Sequence, residues 1–287
     1  MITIIELTSA FLADAARGWQ GTMMINSAFT VILLAGQRPG VDPLAEHFGE
    51  PFKALIDVAG QPMLAWVGST LAARQDVKRI VILAQQGDAL LDHPATRWLR
   101  DEARVTVRDS GASIVEAIEK TLRAMPQAYP FLLTTADNVL LDDAMIDRFK
   151  VGADGADVAA ALVERKVLEA AYPGNRRTWL PFRGGAYSGA NLFWLGSPEA
   201  LKVLAVWRRV EQQRKKVRAV LGAFGFGLSL MIALRLLTLG GAVARVGRRL
   251  GLTARAVLLP YAEACIDVDK PSDHAMVEEI LRKRAHE

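Results

Sequence analysis

"TVILLAGQRPG", residues 30–40, carries four apolar residues, Val31 to Leu34, straight into Ala35-Gly36-Gln37-Arg38-Pro39-Gly40. The run reads as a buried strand that stops in a loop with little side-chain bulk. Such a loop is either a tight structural turn or a backbone that must approach a ligand closely, usually a phosphate. It is not G-x-x-x-x-G-K-[ST], which argues against a P-loop. It is not G-x-G-x-x-G, which makes a dinucleotide fold a weak reading.

Similar apolar runs recur at "RIVILAQ" (79–85), "PFLLTTAD" (130–137), "ADVAAALV" (156–163), "ANLFWL" (190–195) and "EACIDVD" (263–269). Each is short, rich in Val, Ile and Leu, and not cleanly alternating, as strands buried on both faces are. Helical patterns lie between them at 63–74, 113–125 and 200–216, and a last one closes the chain at 271–286, with Ser272 or Asp273 as its N-cap. This alternation predicts a layered α/β sandwich with a mainly parallel central sheet. Ligands in such sheets sit beyond the carboxyl ends of the strands. The informative loops therefore follow residues 34, 84, 135, 195 and 268.

The 287 residues, about half of them hydrophobic, suffice for one large α/β domain or two smaller ones. We expect an extension over 1–27 and a domain over 28–287, which includes a helical, basic and apolar insertion near 200–255. No basic region precedes the apolar start, so no signal peptide is expected. The single cysteine, Cys265, rules out an internal disulfide framework and suits a cytoplasmic protein. We expect it to be packing rather than a nucleophile, because no His lies near it in sequence.

The net charge of +4 hides an asymmetry. Between Lys202 and Arg255 stand twelve Lys or Arg and one acid, Glu211, so this region carries +11 and the remainder −7. The imbalance suggests an anionic partner. Nucleic acid is not expected, because the region lacks the aromatic interleaving of a stacking platform.

Three features bear on chemistry. Lys53 follows Arg38 of the opening loop by fifteen residues, so the two could reach one polyphosphate; a surface Lys and a solvated Arg are the bland alternative. Asp137 ends the third apolar run, a position that suits Mg²⁺, which takes one or two carboxylates plus phosphate oxygens. Helix capping falls better to Asp142 or Asp143. In "CIDVDKPSD", Asp267 and Asp269 alternate along an expected strand and so point to opposite faces. Asp269, nearer the strand end, is the one expected to join Asp137.

"LLAGQRPG" with Lys53, "LLTTAD", "YSGANLF" and "IDVDKPSD" occur in the order found in the MobA-like nucleotidyltransferases, and the chain resembles that family over roughly 29–195 and 256–283. The resemblance implies a glycosyltransferase-A-type sheet. It implies that Leu34, Ala35, Gly36 and Gln37 hold base and phosphates, and that Arg38 and Lys53 neutralise phosphate charge. It implies that Asp137 and Asp269 bind Mg²⁺, that Ser110, Gly111 and Ser113 contact base or ribose, and that Tyr187, Ser188, Gly189 and Asn191 face the acceptor. Arg38, Lys53, Asp137 and Asp269 form the implied catalytic set. Two departures stand out. Gln37 replaces a usual second Gly, and Asn138-Val139 replaces a usual residue-then-Pro.

Nucleotidyl transfer needs two anions positioned and their charge neutralised, and it needs no side-chain nucleophile. The scattered His47, His93, His274 and His286 receive no catalytic role. The expectation is an NTP, CTP before GTP, joined to a phosphorylated small molecule or lipid-head-group precursor with release of pyrophosphate. The alternatives are a nucleotide-sugar-dependent glycosyltransferase of the same fold and a non-catalytic nucleotide-binding or membrane scaffold.

The resemblance does not explain "AVLGAFGFGLSLMIAL", sixteen uncharged residues at 219–234 that fall short of the ~20 needed to span a bilayer. Either this segment packs on the core or on a second subunit, giving a homodimer, or 208–250 lies on an anionic membrane surface as a peripheral contact at the inner face.

Overall fold

The structure is a computed structural model, and it describes residues 28–37, 40–175, 177–212 and 235–286. The extension over 1–27, Arg38 and the apolar run at 219–234 lie outside the described residues.

The strands are β1 (Phe29–Leu34), β2 (Asp57–Val58), β3 (Gln61–Pro62), β4 (Val77–Ala84), β5 (Val105–Asp109), β6 (Phe131–Thr135), β7 (Val158–Glu164), β8 (Leu180–Phe182), β9 (Gly185–Leu195) and β10 (Ala254–Leu258). The helices are α1 (Pro43–Phe48), α2 (Met63–Ala73), α3 (Gly87–Asp92), α4 (Trp98–Asp101), α5 (Ile114–Ala124), α6 (Asp143–Ala153), α7 (Arg165–Ala171), α8 (Ala200–Gln212), α9 (Leu239–Leu250) and α10 (Pro271–Arg284). Two 3-10 turns, Lys53–Leu55 and Ala262–Cys265, complete the described elements.

The main sheet runs β10-β7-β9-β6-β1-β4-β5, with β8 beside β9. β1 pairs in parallel with β4 and β6, while β9 is antiparallel to β6 and β7. Side chains alternate across the strands. Val31 and Leu33 therefore enter one core with Val67 and Leu71 of α2, Phe149 of α6 and Val277 of α10. Ile32 and Leu34 enter the other core with Ile118 of α5, Leu204 of α8 and Val246 of α9. The result is the expected layered α/β sandwich, with both faces of the central strands buried.

Local chemistry sets the helix starts. Asp142 caps α6 by accepting from Met145 N–H, as anticipated, and Ser113 caps α5 through Glu116 N–H. The last helix starts differently from expectation. Its N-cap is Lys270, with Pro271 at the first helical position and no side-chain cap. Asp273 instead accepts from Asp269 N–H.

Three corrections concern strands. "EACIDVD" is not a strand: Ala262–Cys265 forms a 3-10 turn and 266–269 runs extended outside the sheet. The strand in that part of the chain is β10, which begins at the end of the stretch expected to be helical and continues past it. β5 also escaped notice, because its residues are mostly half-exposed and give no apolar run.

In the 200–255 region, the described residues form α8 and α9. Leu239, Val243 and Val246 of α9 are buried against the sheet, at about 1.5–3 kcal/mol for each large side chain. The opposite face exposes Arg245, Arg248 and Arg249. For α9, therefore, the apolar face is packing, not a membrane face. Among the described residues no helix is long and apolar enough to cross a membrane.

Candidate active site

β1 and β6 are neighbours and parallel, so their carboxyl ends open on the same side of the sheet. Ala35 to Gln37 leave β1 there, and Ala136 and Asp137 leave β6. Ala136 N–H donates to Leu34 O at 2.9 Å, which locks the two strand ends together.

The opening loop is held by two glutamines. Gln37 N–H donates to Gln85 Oε1 at 3.0 Å, and Gln85 Nε2 donates to Gly111 O at 2.9 Å. Gln85 thus joins the loop after β1 to the loop after β5. It also explains Gly36, where a Cβ would stand 2.8 Å from Gln85 Oε1 and 3.0 Å from Ser110 Oγ. The Gln37 side chain spans to the next segment. Its Oε1 accepts from Lys53 N–H at 3.1 Å and its Nε2 donates to Pro51 O at 3.4 Å. The residue in place of a second glycine is therefore the clip that seats Lys53.

Lys53 points into the carboxyl end of the sheet. Its Nζ lies 2.6 Å from Asp137 Oδ2 and 2.7 Å from Asp269 Oδ1. Burial alone would lower the lysine pKa, but the two carboxylates outweigh it and hold the ammonium well above its ordinary value. Val268 N–H donates to Asp137 O at 3.1 Å, which brings the C-terminal segment to the end of β6.

Asp267 is the residue that the sequence reading misplaced. It does not point away from Asp269: one carboxylate oxygen each of Asp137, Asp267 and Asp269 lie within 4.8 Å of one another. Strict alternation holds only in regular strand, and 266–269 lies outside the sheet. Asp267 Oδ1 takes Arg177 Nη1 at 2.5 Å, and Oδ2 takes Asn191 Nδ2 at 3.0 Å. Burial, then the charges of Asp137 and Asp269, push the Asp267 carboxyl up to about 6, against the opposing pull of Arg177.

Asn191 reaches Asp267 because β9 is irregular. Ala160 pairs with Phe193 and Leu162 with Gly189, so β9 spends four residues where β7 spends two. Asn191 sits in this bulge with φ +49°. Asn138 steadies the bulge, donating to Ala190 O and Thr134 Oγ1 at 3.3 Å each.

Other expected site residues are placed more loosely. Ser110 is buried beside Gly36, with no hydrogen-bond partner on its hydroxyl. Gly111 has φ +55°, and Ser113 is engaged as the α5 cap. Tyr187 is buried near Phe182 in the second core, and Ser188 is buried beside it; Gly189 is half-buried. Gln85, Asn138, Arg177 and Asp267 were not assigned from sequence. Gln85 follows β4 in a loop at the carboxyl end of the sheet, but "GNRRTW" offers no signal that would single out Arg177.

Three carboxylates on one spot, with Asp137 Oδ1 buried and without a hydrogen-bond partner, suit a hard divalent cation. The donor set is all oxygen, which fits Mg²⁺ and does not suit a soft metal.

The comparisons with known proteins show the family and the fold. The MobA-like NTP transferase domain matches residues 30–222. Among solved structures, a hypothetical transferase from Thermus thermophilus is 29% identical, with a TM-score of 0.70 over 86% of this chain and 99% of its own. The 4-diphosphocytidyl-2C-methyl-D-erythritol synthase of Anaerococcus prevotii shares the fold at 11% identity, with a TM-score of 0.55 over 92% and 100% of the two chains. A CMP:2-keto-3-deoxy-manno-octonic acid synthetase complexed with CTP does so at 14% identity and 0.53, over 90% and 99%. No curated protein matches. With the matched residues spanning β1, Lys53, Asp137 and Asn191, the chain belongs to the MobA-like NTP transferase family and is a nucleotidyltransferase.

Proposed function

We propose that the protein transfers a cytidylyl group from CTP to a phosphorylated small molecule or lipid-head-group precursor, with Mg²⁺ as cofactor and pyrophosphate as the second product. The observation that carries this reading is the meeting of Lys53, Asp137 and Asp269, from three distant parts of the chain, at the mouth of the β1 loop. CTP is preferred over GTP because two structures of the same fold are named for cytidylyl chemistry, one of them complexed with CTP.

An acceptor phosphate oxygen attacks the α-phosphorus, and the bond to the oxygen bridging to the β-phosphorus breaks. The electron pair leaves with pyrophosphate. The N–H groups of the sparse loop at Ala35, Gly36 and Gln37 hold the nucleotide. Lys53, released from its carboxylates by the stronger pull of the phosphates, neutralises the leaving group together with Arg38. Asp137 and Asp269, with Asp267 beside them, would hold Mg²⁺. Bound there, the ion supplies charge neutralisation on the phosphates. Tyr187, Ser188, Gly189 and Asn191, on β9, form the acceptor side of the proposal.

The test is thermal shift against the four NTPs with and without Mg²⁺, followed by pyrophosphate release with phosphorylated alcohols. A ligand that binds only the native state must raise the melting temperature. CTP with Mg²⁺ should give the largest rise. A larger rise with GTP would move the nucleotide assignment, and no rise with any NTP would end the reading.

A further inference from the structure

The segment that carries Asp267 and Asp269 lies outside the sheet and has no strand ladder to fix it. One backbone bond, Val268 N–H to Asp137 O, ties it to the end of β6, and side chains add to that hold. Three of them come from the loop between α7 and β8. Tyr172 OH donates to Glu263, Asn175 Nδ2 lies 2.8 Å from Met276 Sδ, and Arg177 Nη1 donates to Asp267. Arg177 also reaches Asp267 O at 3.4 Å and Asp273 Oδ1 at 3.6 Å through Nη2. Its side chain is 9% exposed.

We infer that Arg177 is a positioning residue for the transfer reaction: it fixes Asp267, and with it the segment that presents Asp269 to Lys53 and to the nucleotide. The inference rests on the nucleotidyltransferase reading of the carboxylate cluster. Arg177 and Asn191 each take one oxygen of Asp267, so that carboxylate is tied from both sides. Asp137 Oδ1, by contrast, is buried without a partner. The three acids therefore divide the work. Asp267 is anchored by protein donors, and Asp137 and Asp269 face Lys53. The planar fork of arginine holds the carboxylate and the backbone carbonyl with donors in fixed geometry, whereas a lysine ammonium would have to reach both from a flexible stem.

Partners that orient a ligating group typically change metal affinity or activity by about 10–100-fold when removed. The experiment compares wild type with Arg177→Met, Arg177→Lys, Arg177→Ala and the double variant Arg177→Met/Asp267→Asn. The double variant keeps the volume and leaves no unpaired buried charge if the single change fails to fold. Mn²⁺ binding by electron paramagnetic resonance, in the presence of CTP, gives a readout independent of turnover. Arg177→Met should weaken Mn²⁺ binding and lower kcat by about 10–100-fold, with KM for CTP changed less than about 3-fold. Arg177→Lys should recover only part of this loss, and guanidinium chloride at millimolar levels should partly restore Arg177→Ala. The double variant should fold and remain weak in Mn²⁺ binding.

Unchanged Mn²⁺ affinity in Arg177→Met, or in the double variant, overturns the inference and leaves the nucleotidyltransferase reading standing. So does a kcat loss that tracks melting temperature alone without rescue by guanidinium. Absence of any Mn²⁺ response in wild type overturns the inference and the metal assignment together.

Discussion

Lys53 and Asp269 are separated by 216 positions in sequence, and their side chains meet at 2.7 Å. The same ammonium holds Asp137 at 2.6 Å. One lysine therefore joins the first and last motifs of the chain to the end of β6, and the chemistry of the site follows from what can replace or displace it.

If Asp137 and Asp269 hold the metal, Asp137→Asn keeps the volume and loses the charge. Pyrophosphate release should fall by at least about 100-fold, the scale of losing one group that stabilises developing charge. The circular dichroism spectrum should be unchanged. Turnover at the wild-type rate in a folded variant would remove Asp137 from the site.

Gly36→Ala would place a methyl group 2.8 Å from Gln85 Oε1. Gln85 can move only by giving up its bonds to Gln37 N–H and Gly111 O, each worth roughly 1 kcal/mol. The variant should lose about 1–2 kcal/mol by urea denaturation and bind nucleotide more weakly. In a Gln85→Ala background the same change should cost much less, because the clash with Gln85 and its bonds are already gone and only the Ser110 hydroxyl, 3.0 Å away, has to turn aside. Equal losses in both backgrounds would mean that Gln85 does not organise the loop.

Cys265 is buried, and burial pushes its thiol up to about 12. At pH 8 the thiolate fraction is then about 10⁻⁴, so alkylation should be very slow. Iodoacetamide should modify the native protein far more slowly than the protein in urea. Equal rates would show that the cysteine is accessible and reactive.

The exposed face of α9 carries Arg245, Arg248 and Arg249. We propose that this basic face, with the region from 208, contacts anionic membrane. At roughly 1 kcal/mol per basic residue, replacing all three by Gln should weaken binding to anionic liposomes by about 100-fold. Wild-type binding should fall as salt rises and should be far weaker on neutral vesicles. Co-sedimentation that is absent even at low salt would leave the whole segment as packing.

Much of the architecture was legible because it is written in local pattern. Val31 to Leu34 and Phe131 to Leu133 form unbroken apolar runs because both faces of the central strands are buried, and such runs need no partner to be recognised. β5 and β10 were not legible, since an edge strand with half-exposed residues shows no such run. Asp137 at the end of its strand, Lys53 beyond the loop and Asp269 near the C-terminus were also readable, from motif order and from resemblance. The roles of Asp267, Gln85, Asn138 and Arg177 were not. Each acts through a partner 26 to 90 positions away, across a contact that exists only after the strands of the sheet have been set side by side. Sequence by itself determined which strands are buried and which loops leave them. Only the tertiary structure decided which side chains meet at their ends, because strand order and one bulge in β9, rather than any local period, set those distances.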